Sequence, residues 1–498
     1  MSATTPTPLT VSGMKASAAW GSKKARPIYI GFDGQGSVDL DMISLFPDHT
    51  WKHRANGLRP DLVQLLADMH PGFIRFPGGC IVEGRDLTNR YQWKNTVGPV
   101  ERRKGIINRW NTEFAHRLTP DYFQSFGLGF FEYFQLAEDI GAEPLPILNC
   151  GMACQFNTSE VVAMPDIDAY VQDALDLIEF ANGDPSTKWG GLRAAMGHPE
   201  PFHLKMMGVG NEQWGPQYIE RYKVFQQAIK ARYPGILLVN STGPDPNGEK
   251  FDFLNDTLRR LHADILDEHY YRNPEWFLQN ATRYDHYDRG GPMIFAGEYA
   301  AQSDKVVSVN NRNNWQCALA EAAFMTGLER NAGVVRMASY APLFAHIDGW
   351  QWAPDLIWFD NIGSYGTPDY YVQKLFATNK GDATLALTRN GQPLAGQDGL
   401  YASAAIDTAS HEIILKLVNT TAQAQSPTIR LAGIRKSNAP ATALVLTAAE
   451  PGAVNSLDNP TAISPVAIKM LCRGKTITPT LGPYSFSVIR IKNQAIDL

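Results

Sequence analysis

Two short stretches of this chain place a carboxylate directly behind an apolar run. In Met206-Met207-Gly208-Val209-Gly210-Asn211-Glu212 an amide precedes Glu212, and an aromatic residue, Trp214, follows it. In Ile294-Phe295-Ala296-Gly297-Glu298-Tyr299 a glycine precedes Glu298. Two carboxyl groups converging on one small space are what acetal hydrolysis requires. One protonates the departing oxygen and the other attacks the anomeric carbon, at a separation of roughly 5–5.5 Å when configuration is retained. One such Glu alone is as readily a strand cap or an ion-pair partner. Two of them, each at the mouth of its own apolar run, make the paired reading the stronger.

The two carboxyls must also differ, because the acid has to hold a proton while the nucleophile is ionised. His269 and Tyr271, at the end of the preceding apolar run, are placed to donate to Glu298 and keep it charged. That charge in turn leads Glu212 to hold its proton to higher pH. His269 serves equally well as a satisfied core histidine of fixed tautomer.

Such residues need a scaffold that gathers strand ends. Apolar runs at 73–76, 145–148, 204–209, 236–239, 265–267, 293–296 and 334–337 alternate with helical patterns, and 28–32 is an eighth candidate. Pro60 opens a helix with Leu62, Leu65, Leu66 and Met69 on one face. A second carries Phe130, Tyr133, Phe134, Ala137 and Ile140 and stops near Gly141; a third runs from Ile167 through Val171, Ala174 and Ile178 towards Gly183. Continuous apolar strands alternating with helices predict an α/β fold, a (β/α)8 TIM barrel over 26–380, whose active site lies at the carboxyl ends of the strands. Residues 1–25 read as a flexible tail rich in Ser, Thr, Ala and Pro. Beyond 380 the segments 411–419, 441–447 and 484–492 are β-type with turn residues between them, which predicts a C-terminal β-sandwich over 381–498.

Composition narrows the classes. Of 498 residues, 44% are hydrophobic and 19% charged, which excludes wholesale disorder. A formal charge of −5 leaves no footprint for nucleic acid or an anionic membrane surface, and no run is long enough to span a bilayer. Five scattered cysteines (Cys80, Cys150, Cys154, Cys317, Cys472) read as buried free thiols rather than a disulfide or zinc framework. Gly34-Gln35-Gly36 lacks the third glycine of a dinucleotide fingerprint, and no HExxH, Walker or Ca²⁺ loop occurs, so neither cofactor nor metal is expected. The loop at 85–120 holds Tyr91, Trp93 and Trp110 among basic residues, either walling a sugar cleft or packing on the surface. The start shows no leader, which leaves a cytoplasmic protein, or an exported one whose leader was removed; oligomeric state stays open.

Longer phrases carry a resemblance. RFPGGCIVEG (75–84), YQWKNTVGPVERR (91–103), GLGFFEYFQLAEDIGAEP (127–144), GNEQWG (210–215), DEHYY (267–271) and GEYA (297–300) resemble glycoside hydrolase family 51, and within it the long α-L-arabinofuranosidases. SYAPLFA (339–345), QWAPDLIWFDN (351–361), YGTPDYYVQKLF (365–376) and NSLDNPTAISP (455–465) extend the likeness. It implies a cofactor-free retaining exo-hydrolase releasing terminal L-arabinofuranose from arabinan, arabinoxylan or their oligosaccharides. By motif, Glu212 becomes the acid/base, Glu298 the nucleophile and Asn211 the amide for the sugar 2-hydroxyl. Tyr271 falls beside the nucleophile and Arg75 at the end of the second strand. Cys80 replaces the Asn of shorter members, as in other long ones, and Trp214, His269 and Gln351 complete the expected substrate-binding set.

One departure stands out. The family's first strand ends in Phe-x-Glu, whereas Phe32-Asp33-Gly34-Gln35 has no Glu at that spacing. Residues 38–47 resemble the stretch after an inserted carbohydrate-binding module, so 28–32 reads as a remnant of that module or as a substitute first strand, with Asp33 as the stand-in carboxylate. Two other functions stay open: an endo-β-1,4-glucanase or xylan-active hydrolase using the same pair, and a carbohydrate-binding protein with impaired turnover.

Overall fold

The computed structural model describes residues 47–112, 123–433 and 437–492. The candidate first strand, Asp33 and the N-terminal tail lie outside them. Seven strands, β1 (Phe73–Phe76), β2 (Glu143–Leu148), β3 (Met206–Val209), β4 (Leu237–Ser241), β5 (Ile265–Arg272), β6 (Met293–Ala301) and β7 (Val335–Tyr340), pair in parallel and in chain order within one sheet. Each of the seven expected runs from 73–76 to 334–337 contains a strand, and β5 and β6 extend well past their apolar cores to carry polar residues.

The sheet is curled. Phe73 of β1 packs edge-on against Phe295 of β6, with ring centroids 5.3 Å apart, although four strands separate them in the sheet. Inside the curl Leu145, Ile147, Val239, Ile265 and Phe295 form a small apolar core of their own. A far larger core lies between the strands and the surrounding helices. Strands buried on both faces explain why the sequence shows continuous apolar runs rather than alternation.

The helices follow their periodicity. In α1 (Pro60–Ala67) Val63 and Leu66 are buried, while Leu62, Leu65 and Met69 are only partly so. The stripe is therefore rotated slightly from the expected one. α2 (Phe130–Asp139) ends before Gly141, which takes φ +72°, and α3 (Asp168–Asn182) is closed by Gly183. Among the remaining helices, α4 (Trp315–Arg330) is apolar nearly all round, because it packs on β6 on one side and on the C-terminal sheet on the other.

That sheet has eight antiparallel strands: β8 (Ala383–Leu385), β9 (Leu400–Asp407), β10 (Glu412–Asn419), β11 (Ile429–Arg430), β12 (Ser437–Thr447), β13 (Val466–Gly474), β14 (Thr476–Ile477) and β15 (Ser485–Lys492). They run in the order β8-β9-β10-β15-β12-β13-β14-β11. Hydrogen bonding is continuous from edge to edge, and Leu431 and Ile477 near the far edge share one apolar core with Leu415, Leu417 and Ile489. Lys416, fully buried, pairs with Glu329 of α4 and donates to the Asn379 carbonyl at 2.7 Å, pinning the sheet to the barrel. Among the described residues, no helix is long and apolar enough to cross a membrane.

Candidate active site

The chain leaves β3 through a strained turn. Gly210 takes φ +74°, and a Cβ there would lie 2.3 Å from Gln213 Oε1. Glu212 itself sits in the left-handed region at φ +51°, a conformation costing about 1–2 kcal/mol for a residue with a side chain. Neighbours hold it there. The Asn211 N–H donates to Gln213 Oε1, and the Tyr218 hydroxyl donates to the Val209 carbonyl at 2.8 Å.

On β5 the period of two sorts the side chains. Glu268 and Tyr270 belong to the helix side, where Glu268 accepts from Tyr270 (2.6 Å), Tyr284 (2.9 Å), Arg283 (3.1 Å) and Tyr287 (3.2 Å). Asp267, His269 and Tyr271 belong to the barrel mouth. A register shift between Glu268 and His269 sets His269 opposite Glu298 of β6.

Glu298 is buried and accepts from Arg75 Nη1 at 2.7 Å and from the Tyr271 hydroxyl at 2.8 Å. Burial alone would raise its pKa. The charges of His269 and Arg75, with the hydrogen bonds from Tyr271 and Arg75, outweigh that and hold it below the usual carboxylate range. Glu212 has a different environment: His269 Nδ1 lies 2.8 Å from its Oε1, and the Cys80 thiol donates to Oε2 at 3.4 Å. One carboxylate oxygen of each Glu and a His269 ring nitrogen lie within 4.8 Å of one another. Burial opposes charge on His269, but Glu298 and Asp267 prevail and raise its pKa well above that of a free imidazole.

Asp267 binds the group together, reaching Arg75 Nη2 and His269 Nε2 at 3.4 Å each. Its carboxylate occupies the space beside Gly297, where a Cβ would come within 1.7 Å of Asp267 Oδ1. This close approach accounts for the glycine before Glu298. Arg75 Nη2 also donates to Asn211 Oδ1 at 2.6 Å, and Asn211 Nδ2 donates to Glu83 at 3.0 Å, so the amide orientation is fixed from both ends.

Arg75, Cys80, Asn211, His269 and Tyr271 thus join the two glutamates in one network. Trp214 and Gln351 make their contacts elsewhere. Trp214 packs at a tilt against the exposed Phe156, with Lys250 Nζ 3.8 Å from its ring centre, and Gln351 donates to Asn111 at 3.2 Å. Within the described part of the 85–120 loop, two of the three aromatic residues follow neither reading. Tyr91 and Trp93 are buried in the large core, whereas Trp110 packs on Trp352, which packs on Tyr271.

Sequence reasoning passed over Asp267, Glu83 and Cys154. Alternation along Asp267-Glu268-His269-Tyr270-Tyr271 carried the signal for the first. Glu83 and Cys154 lie in irregular turns, where no period operates. Cys80, Glu83 and Cys154 are all buried, with two thiol sulfurs and a carboxylate oxygen within 4.8 Å of one another. The neighbouring Cys80 thiol and the Arg109 guanidinium bring the Cys154 pKa down to about 6 despite burial, while burial pushes Glu83 well up. All five cysteines are free and buried, as expected.

A curled parallel sheet with two acidic side chains facing each other at its strand ends defines a barrel of the glycoside hydrolase class. Family models described as "Alpha-L-arabinofuranosidase 1 domain" and "Alpha-L-arabinofuranosidase C-terminal domain" match residues 65–289 and 297–485. The chain belongs to the family 51 α-L-arabinofuranosidases, being 34% identical to a probable α-L-arabinofuranosidase A of Aspergillus oryzae over 92% of this chain and 68% of that protein.

It is 48% identical to an extracellular exo-α-L-arabinofuranosidase of Streptomyces chartreusis over 69% of this chain, and 37% identical to α-L-arabinofuranosidase 1 of Arabidopsis thaliana over 91%. The chain spans 41% and 63% of the length of these two relatives. An arabinose-bound GH51 α-L-arabinofuranosidase structure superposes with a TM-score of 0.77 at 35% identity, covering 89% of this chain and 68% of that one. The arabinose complex of the Thermotoga maritima enzyme, at 20% identity and TM-score 0.67 over 87% of this chain and 90% of that one, shares the fold.

Proposed function

We propose that this chain is a retaining exo-hydrolase that releases terminal α-L-arabinofuranose from arabinan, arabinoxylan or their oligosaccharides. The observation that carries the proposal is the approach of the Glu212 and Glu298 carboxylates to within 4.8 Å, each with a different set of partners. That separation suits double displacement and is too short to seat a water between nucleophile and sugar, as inversion demands.

Glu298, held ionised by Arg75 and Tyr271, attacks the anomeric carbon as the glycosidic oxygen takes a proton from Glu212. The product is a covalent arabinofuranosyl-enzyme. Glu212, now ionised, takes a proton from water, which attacks the same carbon; the second inversion restores the starting anomer and frees Glu298. His269, 2.8 Å from Glu212, positions the carboxyl through the cycle. Asn211, its amide fixed by Arg75 and Glu83, presents a donor edge for the sugar 2-hydroxyl. Cys80 borders the acid, and Trp214 and Gln351 are assigned to binding sugar further along the chain. The names of the relatives, and arabinose in two structural neighbours, support the choice of sugar.

Product analysis by NMR on arabinan, arabinoxylan and cellulose oligosaccharides tests this reading. Free α-L-arabinofuranose should appear first from the two arabinosyl substrates. Internal cleavage of the cellulose oligosaccharides, or release of the β-anomer, would contradict it.

A further inference from the structure

We infer that Cys80, Cys154 and Glu83 form a site for a soft divalent cation, Zn²⁺ or Cd²⁺, directly behind Glu212. Their two sulfurs and one carboxylate oxygen already lie within 4.8 Å of one another, and all three residues are buried. Zinc bound at about 2.3 Å to thiolate and 2.0–2.2 Å to carboxylate needs donors within about 4 Å of each other, so only small side-chain adjustments separate this cluster from a coordinated one. Two thiolates select such metals over Mg²⁺ or Ca²⁺.

The surroundings are built to hold these donors. Asn149 Nδ2 donates to the Val82 and Glu83 carbonyls, each at 3.2 Å. The Cys154 N–H donates to the Gly84 carbonyl at 3.0 Å and the Gly84 N–H to the Cys80 carbonyl at 3.1 Å, so the turn after β1 and the loop after β2 are tied together. Asn211 orients the Glu83 carboxylate at 3.0 Å, the kind of outer contact that tunes a metal site. Charge also favours a cation here: two thiolates and a carboxylate gather negative charge at one buried point, and the Arg109 guanidinium lies 3.5 Å from Cys154 Sγ. Protons that the three donors release on binding, the Glu83 carboxyl included, pass to solvent, and no electrons move.

Cys80 Sγ lies 3.4 Å from Glu212 Oε2, which brings the proposed acid within reach of a cation bound to that sulfur. A cation there recruits that carboxylate and stops it from donating a proton. This consequence for turnover rests on the proposed role of Glu212; the binding does not.

The test is titration of the full, reduced chain with CdCl2, following the thiolate-to-cadmium charge-transfer absorption. The band should saturate at one equivalent and remain in Cys317→Ser and Cys472→Ser. It should fall by about half, with at least 100-fold weaker binding, in Cys80→Ser and Cys154→Ser. Glu83→Gln, confirmed as folded by circular dichroism, should keep the band and weaken binding at least 10-fold. No band, or one unchanged in the double Cys80→Ser/Cys154→Ser variant, overturns the site. Zn²⁺ should slow arabinoside hydrolysis by the unmodified chain, reversibly with a chelator, and leave the rate of Cys154→Ser unchanged. Stoichiometric binding with full activity would refute the link to Glu212. The cadmium band reads binding without turnover, so failure here is distinguishable from failure of the hydrolytic reading.

Discussion

Arg75 on β1 and Glu298 on β6 meet at 2.7 Å across the barrel mouth, 223 residues apart in the chain. Arg75 and His269 together overcome the burial that would otherwise keep Glu298 protonated. Replacing Arg75 by Met should lower kcat/KM about 100-fold or more, the loss that removing one preorganised charge-stabilising donor from an active site produces. The direction of the pH effect follows. The Glu298 pKa rises once the guanidinium is gone, so the acidic limb of the kcat/KM profile should move to higher pH. A profile lowered but not displaced would show that Arg75 does not set the charge on Glu298.

His269 makes the opposite prediction for stability. Its folded-state pKa is raised well above the ordinary value by Glu298 and Asp267. It therefore contributes stability that is fully present below about pH 6.5, the unfolded value, and is lost as pH rises through the folded value. Thermal melts of the unmodified chain should fall on that alkaline side. His269→Gln should melt lower at acid and neutral pH and lack this part of the decline.

Gly297 offers a purely steric test. Alanine there would put a Cβ within 1.7 Å of Asp267 Oδ1 and push that carboxylate away from Arg75 and His269. Turnover should fall about 100-fold, the loss that a displacement of ~1 Å in a catalytic constellation produces. Near-ultraviolet circular dichroism should be little changed. Full activity in Gly297→Ala would show that Asp267 has no part in positioning the pair.

Lys416 reports on the joint between sheet and barrel. Removing its ammonium leaves the Glu329 carboxylate with the Ser403 hydroxyl as a donor but without a counter-charge, so Lys416→Ala should destabilise the chain by about 3 kcal/mol in denaturant unfolding. Lys416→Met, which fills the same volume, should be milder than alanine. Equal stability of all three forms would contradict a structural role for the pair.

The barrel was legible because its strands are buried on both faces and therefore read as apolar runs; Phe73–Phe76 was found to the residue. The ends of β5 and β6 were not, since Glu268–Arg272 and Gly297–Ala301 are strand residues whose composition serves the site rather than the core. Glu212 and Glu298 stood out by following apolar runs. Asp267 was hidden by its neighbour Glu268, which bears the same charge but belongs to the other face of the strand. Trp214 and Gln351 were singled out by motif, yet the local structure gives them partners outside the glutamate network.

The central claim is that Glu298 forms the covalent bond to the sugar. Glu298→Ala, assayed on an aryl α-L-arabinofuranoside, should be nearly inactive, and added azide should restore turnover while yielding the β-arabinofuranosyl azide. Near-normal hydrolysis without azide would contradict the account.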